Sequence, residues 1–332
     1  MRAPDFWWRD PPSLPARLLA PVGALYGAAA ARRMARPGAP APCPVVCVGN
    51  VTLGGAGKTP TALALAALLR ELGARPAFLS RGYGGSLPGP LRVDPAAHGA
   101  AEVGDEPLLI ARAAPTIVAR DRPAGAAACA AAGADVIVMD DGLQNPSLRK
   151  DWSLAVFDAG VGIGNGLPFP AGPLRAPLGA QWPLVSAVLV IGDAAQGRPL
   201  LAAAAARGLP ALRGRLAPDA AAAAALRGRP VLAFAGIGRP DKFFESLRAV
   251  GAELRGTRAF PDHHAYRAGE IAALEREATR RGLTLVTTEK DRVRLPAAMA
   301  VAVLPVRLAL APDDAALLRA RLAALLRGRA GP

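Results

Sequence analysis

A chain of 332 residues, 52% of them apolar, is long enough for two packed domains and can bury sizeable cores, which excludes a disordered protein. The formal net charge of +14 suits an anionic membrane surface or a phosphorylated substrate, and nucleic acid ranks lower because the basic residues are scattered without an aromatic-rich basic module. Three cysteines, Cys43, Cys47 and Cys129, form neither a paired framework nor a ligand cluster, which indicates core thiols in a reducing cytoplasmic setting.

The first segment, residues 1–37, carries the pattern of a membrane-associated helix. Aromatic residues at 6–8 precede an apolar run at 14–31, and three arginines follow within residues 32–36. Aromatic residues favour the membrane interface and arginines the cytoplasmic side, so the pattern predicts a helix lying in, or dipping into, the cytoplasmic leaflet. Two prolines and an arginine interrupt the run, and an amphipathic helix packed on the protein is the alternative.

From residue 38 onward, short apolar segments alternate with helical ones, as in a mostly parallel sheet with helices on its faces. The predicted strands are Val45–Val48, Ala77–Leu79, Thr116–Ala119, Val136–Met139, Leu154–Phe157 and Val188–Ile191. The predicted helices are Thr59–Leu72, Glu106–Ala113 and Ala124–Ala132. The pattern predicts one α/β domain over residues 38–205.

A second alternating region follows an alanine- and proline-rich stretch at 194–225, which we interpret as a connector plus a helix. The predicted strands of this region lie near Val231–Ala235, Leu283–Thr287 and Val301–Pro305. We therefore expect a smaller C-terminal α/β domain over residues 206–332.

The strongest motif, GNVTLGGAGKT at residues 49–59, joins the first predicted strand to the first predicted helix. A strand, a glycine loop and a helix in this order are the context that a Walker A phosphate-binding loop requires. Lys58 would neutralise the β- and γ-phosphates of ATP, and the Thr59 hydroxyl would bind Mg²⁺. The residues expected to hold the nucleotide are Asn50, Thr52, Gly54, Gly55, Ala56, Gly57, Lys58 and Thr59. Thr52 stands where the plain motif has its first glycine.

A P-loop needs a second carboxylate for Mg²⁺, and the run VIVMDDG at 136–142 supplies it. A buried strand that opens into Asp140 and Asp141 places their charge at the carboxyl edge of the sheet, beside the loop. Which of the two aspartates contacts the metal is left open. The two motifs together predict a P-loop kinase-type fold.

Lysine is rare in this arginine-biased chain, so each lysine is a candidate for a role that arginine cannot fill. The four lysines are Lys58, Lys150, Lys242 and Lys290.

Six further polar segments are SRGYGG at 80–85, GDEP at 104–107, GLQN at 142–145, PAGPLR at 170–175, FPDHHAY at 260–266 and TTEKD at 287–291. Together with the P-loop and GIGRPDKFF at 236–244, they resemble, in order and spacing, the tetraacyldisaccharide 4′-kinase family over nearly the whole chain.

The resemblance implies an enzyme that phosphorylates the 4′-hydroxyl of a tetraacylated glucosamine disaccharide 1-phosphate, forming lipid IVA in lipid A biosynthesis. It implies ATP and Mg²⁺ as cofactors, the lipid A disaccharide precursor in the membrane as partner, and no nucleic acid or obligate protein partner. The enzyme would lie, peripheral or monotopic, on the cytoplasmic face of the inner membrane. Its active site would lie between a P-loop domain and the smaller C-terminal domain.

Sugar hydroxyls are poor nucleophiles, so a carboxylate that accepts the proton in line with the γ-phosphoryl group is useful. By resemblance, Asp105 is this catalytic residue, and His263 pairs with it across the domain cleft. Glu106 follows at a predicted helix start, where it either serves Mg²⁺ or caps the helix.

The arginines Arg81, Arg122 and Arg175 match the resemblance too. Forked guanidinium groups suit the γ-phosphoryl charge and the substrate's 1-phosphate, and Arg175 is expected to act with Lys58 in catalysis. Gln144 is a further polar candidate for substrate binding near the metal.

Two positions depart from the family pattern. Asn145 stands where the family often has histidine, and Ala176 replaces an acidic residue after PAGPLR. Neither removes a proposed catalytic group, so the departures concern fine positioning or substrate range.

Three rival functions can be weighed against the kinase. A membrane-switch ATPase carries a lysine just before the paired glycines, where this chain has Leu53, and a GTPase carries Asn-Lys-x-Asp, which the sequence lacks. A membrane-recruited nucleotide-binding scaffold would have no use for Asp105 or His263. The kinase therefore accounts for more of the motifs.

Overall fold

The computed structural model describes residues 3–328, and its helices and strands alternate along most of the chain. The strands are β1 (Val45–Gly49), β2 (Pro76–Ser80), β3 (Leu91–Arg92), β4 (Thr116–Val118), β5 (Val136–Asp140), β6 (Trp152–Asp158), β7 (Ala187–Ile191), β8 (Ala211–Pro218), β9 (Pro230–Ala235), β10 (Glu253–Ala259), β11 (Thr284–Thr287), β12 (Ala302–Val303) and β13 (Val306–Leu310). The α-helices are α1 (Leu14–Met34), α2 (Lys58–Glu71), α3 (Ala100–Val103), α4 (Asp105–Ile110), α5 (Arg122–Ala131), α6 (Leu178–Gln181), α7 (Arg198–Ala205), α8 (Ala220–Leu226), α9 (Pro240–Ala249), α10 (Ala268–Arg281), α11 (Glu289–Arg292) and α12 (Pro312–Arg327). The outermost residues of the predicted segments 1–37 and 206–332 lie outside the described residues.

Between residues 3 and 328, the larger sheet has nine strands in the order β13-β8-β7-β6-β1-β5-β2-β4-β3. All neighbours from β8 to β4 pair in parallel, and only the edge strands β13 and β3 pair antiparallel. The predicted mostly parallel α/β class is confirmed. Because β1 is flanked by β5 and β6, the chain segments that follow these three strands meet at one edge of the sheet.

Helices cover both faces of this sheet. Val45 and Cys47 of β1 point to the core beneath α5 and α7, whereas Val46 and Val48 point to the core beneath α2 and α12. Every residue of β1 is buried, which explains its continuous apolar sequence.

The sheets divide the chain differently from the predicted boundary at residue 205. A second sheet, with the order β10-β9-β11-β12 among the residues described, is formed by the chain between residues 230 and 303. Strand β8 and the C-terminal β13 both join the larger sheet, and α12 buries Leu318 and Leu322 against the core of α2. The smaller α/β unit is therefore inserted into the larger one, and the C-terminal part of the chain rejoins the larger sheet.

One local prediction in this region was wrong, and another was placed correctly but was too long. The stretch at 194–225 was interpreted as a connector and a helix, but β8 lies within it and pairs with β7 and β13. The predicted strand at 301–305 ends at Val303, and Pro305 separates it from β13, which belongs to the other sheet. Pairing partners distant in sequence decide these strands, and local patterns do not reveal them.

Helix α1 packs on the large sheet's loops through one narrow stripe of small residues. A Cβ atom added at Gly23 would lie 2.8 Å from the Pro168 carbonyl oxygen, and one at Gly27 would lie 3.0 Å from Pro177 Cδ. The opposite face is open, and its exposed large side chains are Leu14, Leu18, Val22, Leu25 and Tyr26. By length and composition alone α1 is long and apolar enough to cross a membrane, a test that a signal sequence or a buried core helix also passes.

Candidate active site

The P-loop joins β1 to α2, as its motif predicted. Lys58 is 8% exposed, and its Nζ atom donates a hydrogen bond to Asn50 Oδ1 at 3.2 Å. Asn50 Nδ2 in turn donates to the Gly54 carbonyl oxygen at 3.3 Å, which holds the loop closed around the lysine. Backbone at Gly54 and Gly57 adopts φ values of 105° and 86°, where a side chain would be strained.

The two aspartates after β5 have different surroundings. Asp141 receives both terminal nitrogens of Arg175, at 2.8 and 2.9 Å, and its Oδ2 atom lies 3.7 Å from Lys58 Nζ. Burial tends to raise the pKa of Asp141, but the charges of Lys58 and Arg175 hold it below its ordinary value. Asp140 is 3% exposed, and its buried Oδ1 atom has no hydrogen-bond partner.

Asp140 therefore has one buried carboxylate oxygen without a hydrogen-bond partner. Burial, reinforced by the charges of Glu106 and Asp141, raises the pKa of Asp140 to about 7. A buried carboxylate oxygen without a partner is unfavourable unless a proton or a cation meets it.

The oxygen donors at the end of the P-loop fit part of a magnesium ligand sphere. Thr59, at the start of α2, donates its hydroxyl to Glu106 Oε1 at 3.5 Å, and Asp140 offers its free oxygen nearby. No cluster of three His, Cys, Asp or Glu side chains within residues 3–328 forms a complete cage. Mg²⁺ in phosphoryl-transfer sites takes one or two protein ligands and completes its sphere with water and phosphate oxygens, so these donors suit it.

Asp105 and His263 meet between the two sheets. Asp105 begins α4, and His263 lies in the loop between β10 and α10. His263 Nδ1 lies 2.9 Å from Asp105 Oδ2 and 3.1 Å from Oδ1. Burial tends to raise the pKa of Asp105, but the hydrogen bond and charge of His263 bring it below its ordinary value. The same hydrogen bond raises the pKa of His263.

Glu106 connects this pair to the P-loop. Besides Thr59, its carboxylate contacts Lys290, which lies at the start of α11 in the smaller unit. The charge of Lys290 is the largest influence that lowers the pKa of Glu106. The sequence left open whether Glu106 serves Mg²⁺ or caps the helix. Its carboxylate contacts the side chains of Thr59 and Lys290 and not the backbone of α4.

Of the remaining predicted residues, two contact the P-loop and two arginines have no contact with it among the hydrogen bonds described. Gln144 is buried and donates through Nε2 to the Asn50 carbonyl oxygen at 2.7 Å, directly beneath the P-loop. Arg175 is held by Asp141 and donates through Nε to the Thr52 carbonyl oxygen at 2.9 Å, so its guanidinium already braces the loop. Arg81 is exposed, whereas Arg122 is 2% exposed, with Nη1 on the Ala119 carbonyl oxygen and Nε unpartnered.

The two departures from the family pattern have local roles. Asn145 Oδ1 accepts hydrogen bonds from the backbone N–H and the hydroxyl of Ser147, at 2.8 and 2.7 Å. Ala176 is fully buried against Ala30 and Met34 of α1, where a larger acidic side chain would meet an apolar contact.

Sequence reasoning missed Arg294 and assigned no role to Asp291, although both lie in the site. Arg294 Nε lies 3.7 Å from Asp105 Oδ2, and its Nη2 atom donates to Asp291 Oδ1 at 2.7 Å. Lys290 and Asp291 belong to the TTEKD segment and were detectable there. Arg294 stands out in no way among the chain's many arginines.

A P-loop beside an acidic strand end, with a buried aspartate that pairs with a histidine between the two units, defines a P-loop kinase. Residues 15–327 match the family model LpxK, described as tetraacyldisaccharide-1-P 4′-kinase. The chain belongs to this family.

Individual relatives agree with this assignment. The chain is 78% identical over 325 residues to the tetraacyldisaccharide 4′-kinase of Methylobacterium nodulans, an alignment that covers 98% of this chain and 96% of the relative. It is 65% identical over 324 residues to an enzyme of the same name from Methylorubrum extorquens, covering 98% of both. A crystal structure of LpxK from Aquifex aeolicus in complex with ATP shares the fold, with a TM-score of 0.72 and 24% identity over 92% of this chain and 99% of that chain.

Proposed function

We propose that this chain transfers the γ-phosphoryl group of ATP to the 4′-hydroxyl of a tetraacylated glucosamine disaccharide 1-phosphate, giving lipid IVA and ADP. The observation that carries the proposal is the Asp105–His263 pair, because a buried carboxylate held by a histidine is placed next to P-loop groups. Family membership supplies the acceptor, which geometry alone would leave open.

In the proposed reaction, the 4′-oxygen forms a bond to the γ-phosphorus as the bond from that phosphorus to the β,γ-bridging oxygen breaks. Asp105 accepts the hydroxyl proton, and its lowered pKa keeps it ionised and ready at neutral pH. His263 orients the carboxylate through the hydrogen bond at Nδ1. Lys58 neutralises charge on the β- and γ-phosphates.

Magnesium would be held by Asp140 and Thr59, where it neutralises phosphate charge when bound. Asp141 serves a different purpose, since its two oxygens are engaged by Arg175 and it lies near Lys58. We infer that Asp141 and Arg175 keep the P-loop in its phosphate-ready shape. Glu106, paired with Lys290, would orient the Thr59 hydroxyl.

The membrane surface is proposed to be engaged by α1. Its exposed leucines lie on the face opposite the packed glycines, so they can enter the interface while the helix stays docked. The exposed Phe169 contacts Tyr26 edge to face and extends the same apolar surface. We infer a monotopic attachment to the cytoplasmic face of the inner membrane. Arg81 is exposed and is the candidate for the substrate's phosphate, whereas Arg122 is 2% exposed.

The test is the transfer of labelled γ-phosphate from ATP to tetraacyldisaccharide 1-phosphate in detergent micelles. We expect labelled lipid with Mg²⁺ and none after chelation, and Lys58→Ala should lose at least about a hundredfold in rate. ATP hydrolysis stimulated by bare liposomes, without any labelled lipid, would instead favour a membrane-switch ATPase.

A further inference from the structure

Arg294 lies two residues beyond α11 and is almost completely buried, with its side chain 5% exposed. Its guanidinium lies close to oxygen atoms of five residues in the site. Nη2 donates to Asp291 Oδ1 at 2.7 Å and to the Gly236 carbonyl oxygen at 2.9 Å, and Nη1 donates to the His264 carbonyl oxygen at 3.2 Å. Nε donates to the Lys290 carbonyl oxygen at 3.2 Å and lies 3.7 Å from Asp105 Oδ2. Only a planar fork of several donors can satisfy such a set at once.

The backbone N–H and the carbonyl oxygen of Gly236 are both hydrogen-bonded, and their partners are Asp291, Arg294 and His263. The Gly236 N–H donates to Asp291 Oδ1 at 2.9 Å, and its carbonyl oxygen accepts from both Arg294 and the His263 N–H, the latter at 3.1 Å. A Cβ atom at this position would lie 3.1 Å from Asp291 Oδ1 and from His264 Cβ, so the tight fit favours glycine.

His263 needs such a support because its backbone is in a disfavoured conformation. Its φ angle is 57°, and among the non-glycine residues described only Asp141 shares a positive φ. Residues other than glycine persist in this region when their surroundings hold them there, and such residues cluster at functional sites.

We propose that Arg294, acting with Asp291, is a positioning residue that fixes the His263 loop and thereby sets the imidazole against Asp105. The guanidinium has a second effect, since it brings a further positive charge close to the Asp105 carboxylate. The kinetic part of the inference rests on the proposed kinase function, whereas the geometric part does not.

A purely structural role for Arg294 is the alternative, because Asp291 also accepts from Tyr266 and Thr288 in the core of the smaller unit. The two roles differ in whether the effect of losing Arg294 depends on His263. A positioning residue acts through His263, so its loss should cost little once His263 is gone. A structural residue lowers stability and activity regardless of His263.

The kinetic test is a double-mutant cycle of Arg294→Lys and His263→Ala. Lysine keeps the charge but cannot contact all of these oxygen atoms at once. We expect Arg294→Lys to lower kcat about tenfold or more, with KM for ATP changed less than about twofold, and to cost less than about twofold in the His263→Ala background. Arg292→Lys is the matched control, because Arg292 donates instead to the carbonyl oxygens of residues 295–297. Equal costs in both backgrounds, or no cost in either, would overturn the proposal.

If Arg294→Lys fails to fold, Gly236→Ala disturbs the same clamp while leaving Arg294 in place, and we expect the same dependence on His263. A substrate-free measurement separates this inference from the kinase proposal. The chain has only three histidines, so the ring N–H signal of His263 can be followed by NMR. Arg294→Lys should shift that signal and leave His98 unchanged, even if the wild-type protein transferred no phosphate to the lipid. An unshifted His263 signal would contradict the positioning role.

Discussion

At the scale of single residues, the proposal that Asp140 is a magnesium ligand predicts that metal binding depends on pH. Its raised pKa means that the carboxyl group is protonated below about pH 7 and ionised above it, and only the ionised form binds a cation. We expect the affinity for Mg²⁺–ATP to fall about tenfold per unit as pH drops below 7 and to level off above it.

Calorimetric titration of Mg²⁺ and ATP between about pH 6 and 8 measures this dependence. Asp140→Asn is the control, because its remaining pH dependence reports the ionisation of ATP itself. A variant whose pH dependence equals that of the wild type would rule out Asp140 as the titrating ligand.

If Asp105 is the base, as proposed, His263 should set the lower pH limit of turnover. The wild-type rate should fall as pH drops through the lowered pKa of Asp105, since protonation removes the base. In His263→Ala the hydrogen bond is lost while burial remains, so the pKa of Asp105 should rise and the acid limb of kcat/KM should move to higher pH. His264→Ala is the comparison, because its imidazole contacts Glu270 at 2.9 Å and not Asp105. An acid limb at the same pH in both variants would contradict this role for His263.

The proposed nucleotide and metal residues were predictable from their own motifs, whereas the Asp105–His263 contact across the fold was expected only from the family resemblance. Lys58, Thr59 and Asp140 follow from a strand, a glycine loop and a strand end, which are local signals. The rarity of lysine in this chain was also a useful signal. All four lysines donate to a carbonyl or carboxylate oxygen, and Lys150 donates to the Leu143 carbonyl oxygen. Arg294 had no such signal, because the oxygens around it come from distant segments as well as from the nearby Lys290 and Asp291.

At the scale of elements, α1 combines a docked face with a free apolar face. The sequence predicted this helix. Pro15 does not interrupt it, because the first turn needs no backbone N–H, and the helix also continues through Pro21. Deleting the whole segment would uncover Pro168 and Pro177 beside the loop that carries Arg175. Point substitutions on the free face therefore separate membrane binding from folding.

We expect Leu18→Glu with Leu25→Glu to weaken binding to anionic liposomes at least about tenfold, because two exposed leucines are replaced by charges of the membrane's sign. ATP affinity should be unchanged. Leu317→Glu, at an exposed leucine on α12, is the matched control and should leave liposome binding intact. Sedimentation with liposomes measures the effect, and equal binding by both proteins would refute attachment through this face.

At the scale of the whole molecule, the smaller sheet's unit contacts the larger one at two separate places. Asp105–His263 and Glu106–Lys290 lie on the catalytic side, and Asp158 at the end of β6 receives Arg239 and Lys242 from the start of α9. These contacts hold the inserted unit, residues 230–303, against the larger unit beside the P-loop. The sequence predicted two α/β units, but the return of the chain to the larger sheet depends on the pairing of β8 with β13.

Asp158→Asn should lower the free energy of unfolding by about 1–2 kcal/mol, because a nearly buried carboxylate loses two charged partners. Glu71→Gln removes one partner of the exposed Arg319–Glu71 pair and should change it by less than about 0.5 kcal/mol. Urea unfolding compares the two variants. Equal effects would show that the Asp158 contacts add nothing to the stability of the assembled units.

The central claim is that the Asp105 carboxylate activates the lipid hydroxyl beside a P-loop that binds ATP independently of it. The most direct test is single-turnover transfer of labelled γ-phosphate to tetraacyldisaccharide 1-phosphate by Asp105→Ala, together with its affinity for ATP. We predict a loss of at least about a hundredfold in the transfer rate, with ATP affinity within about threefold of wild type. Transfer at the wild-type rate would contradict the account and remove Asp105 from the chemistry.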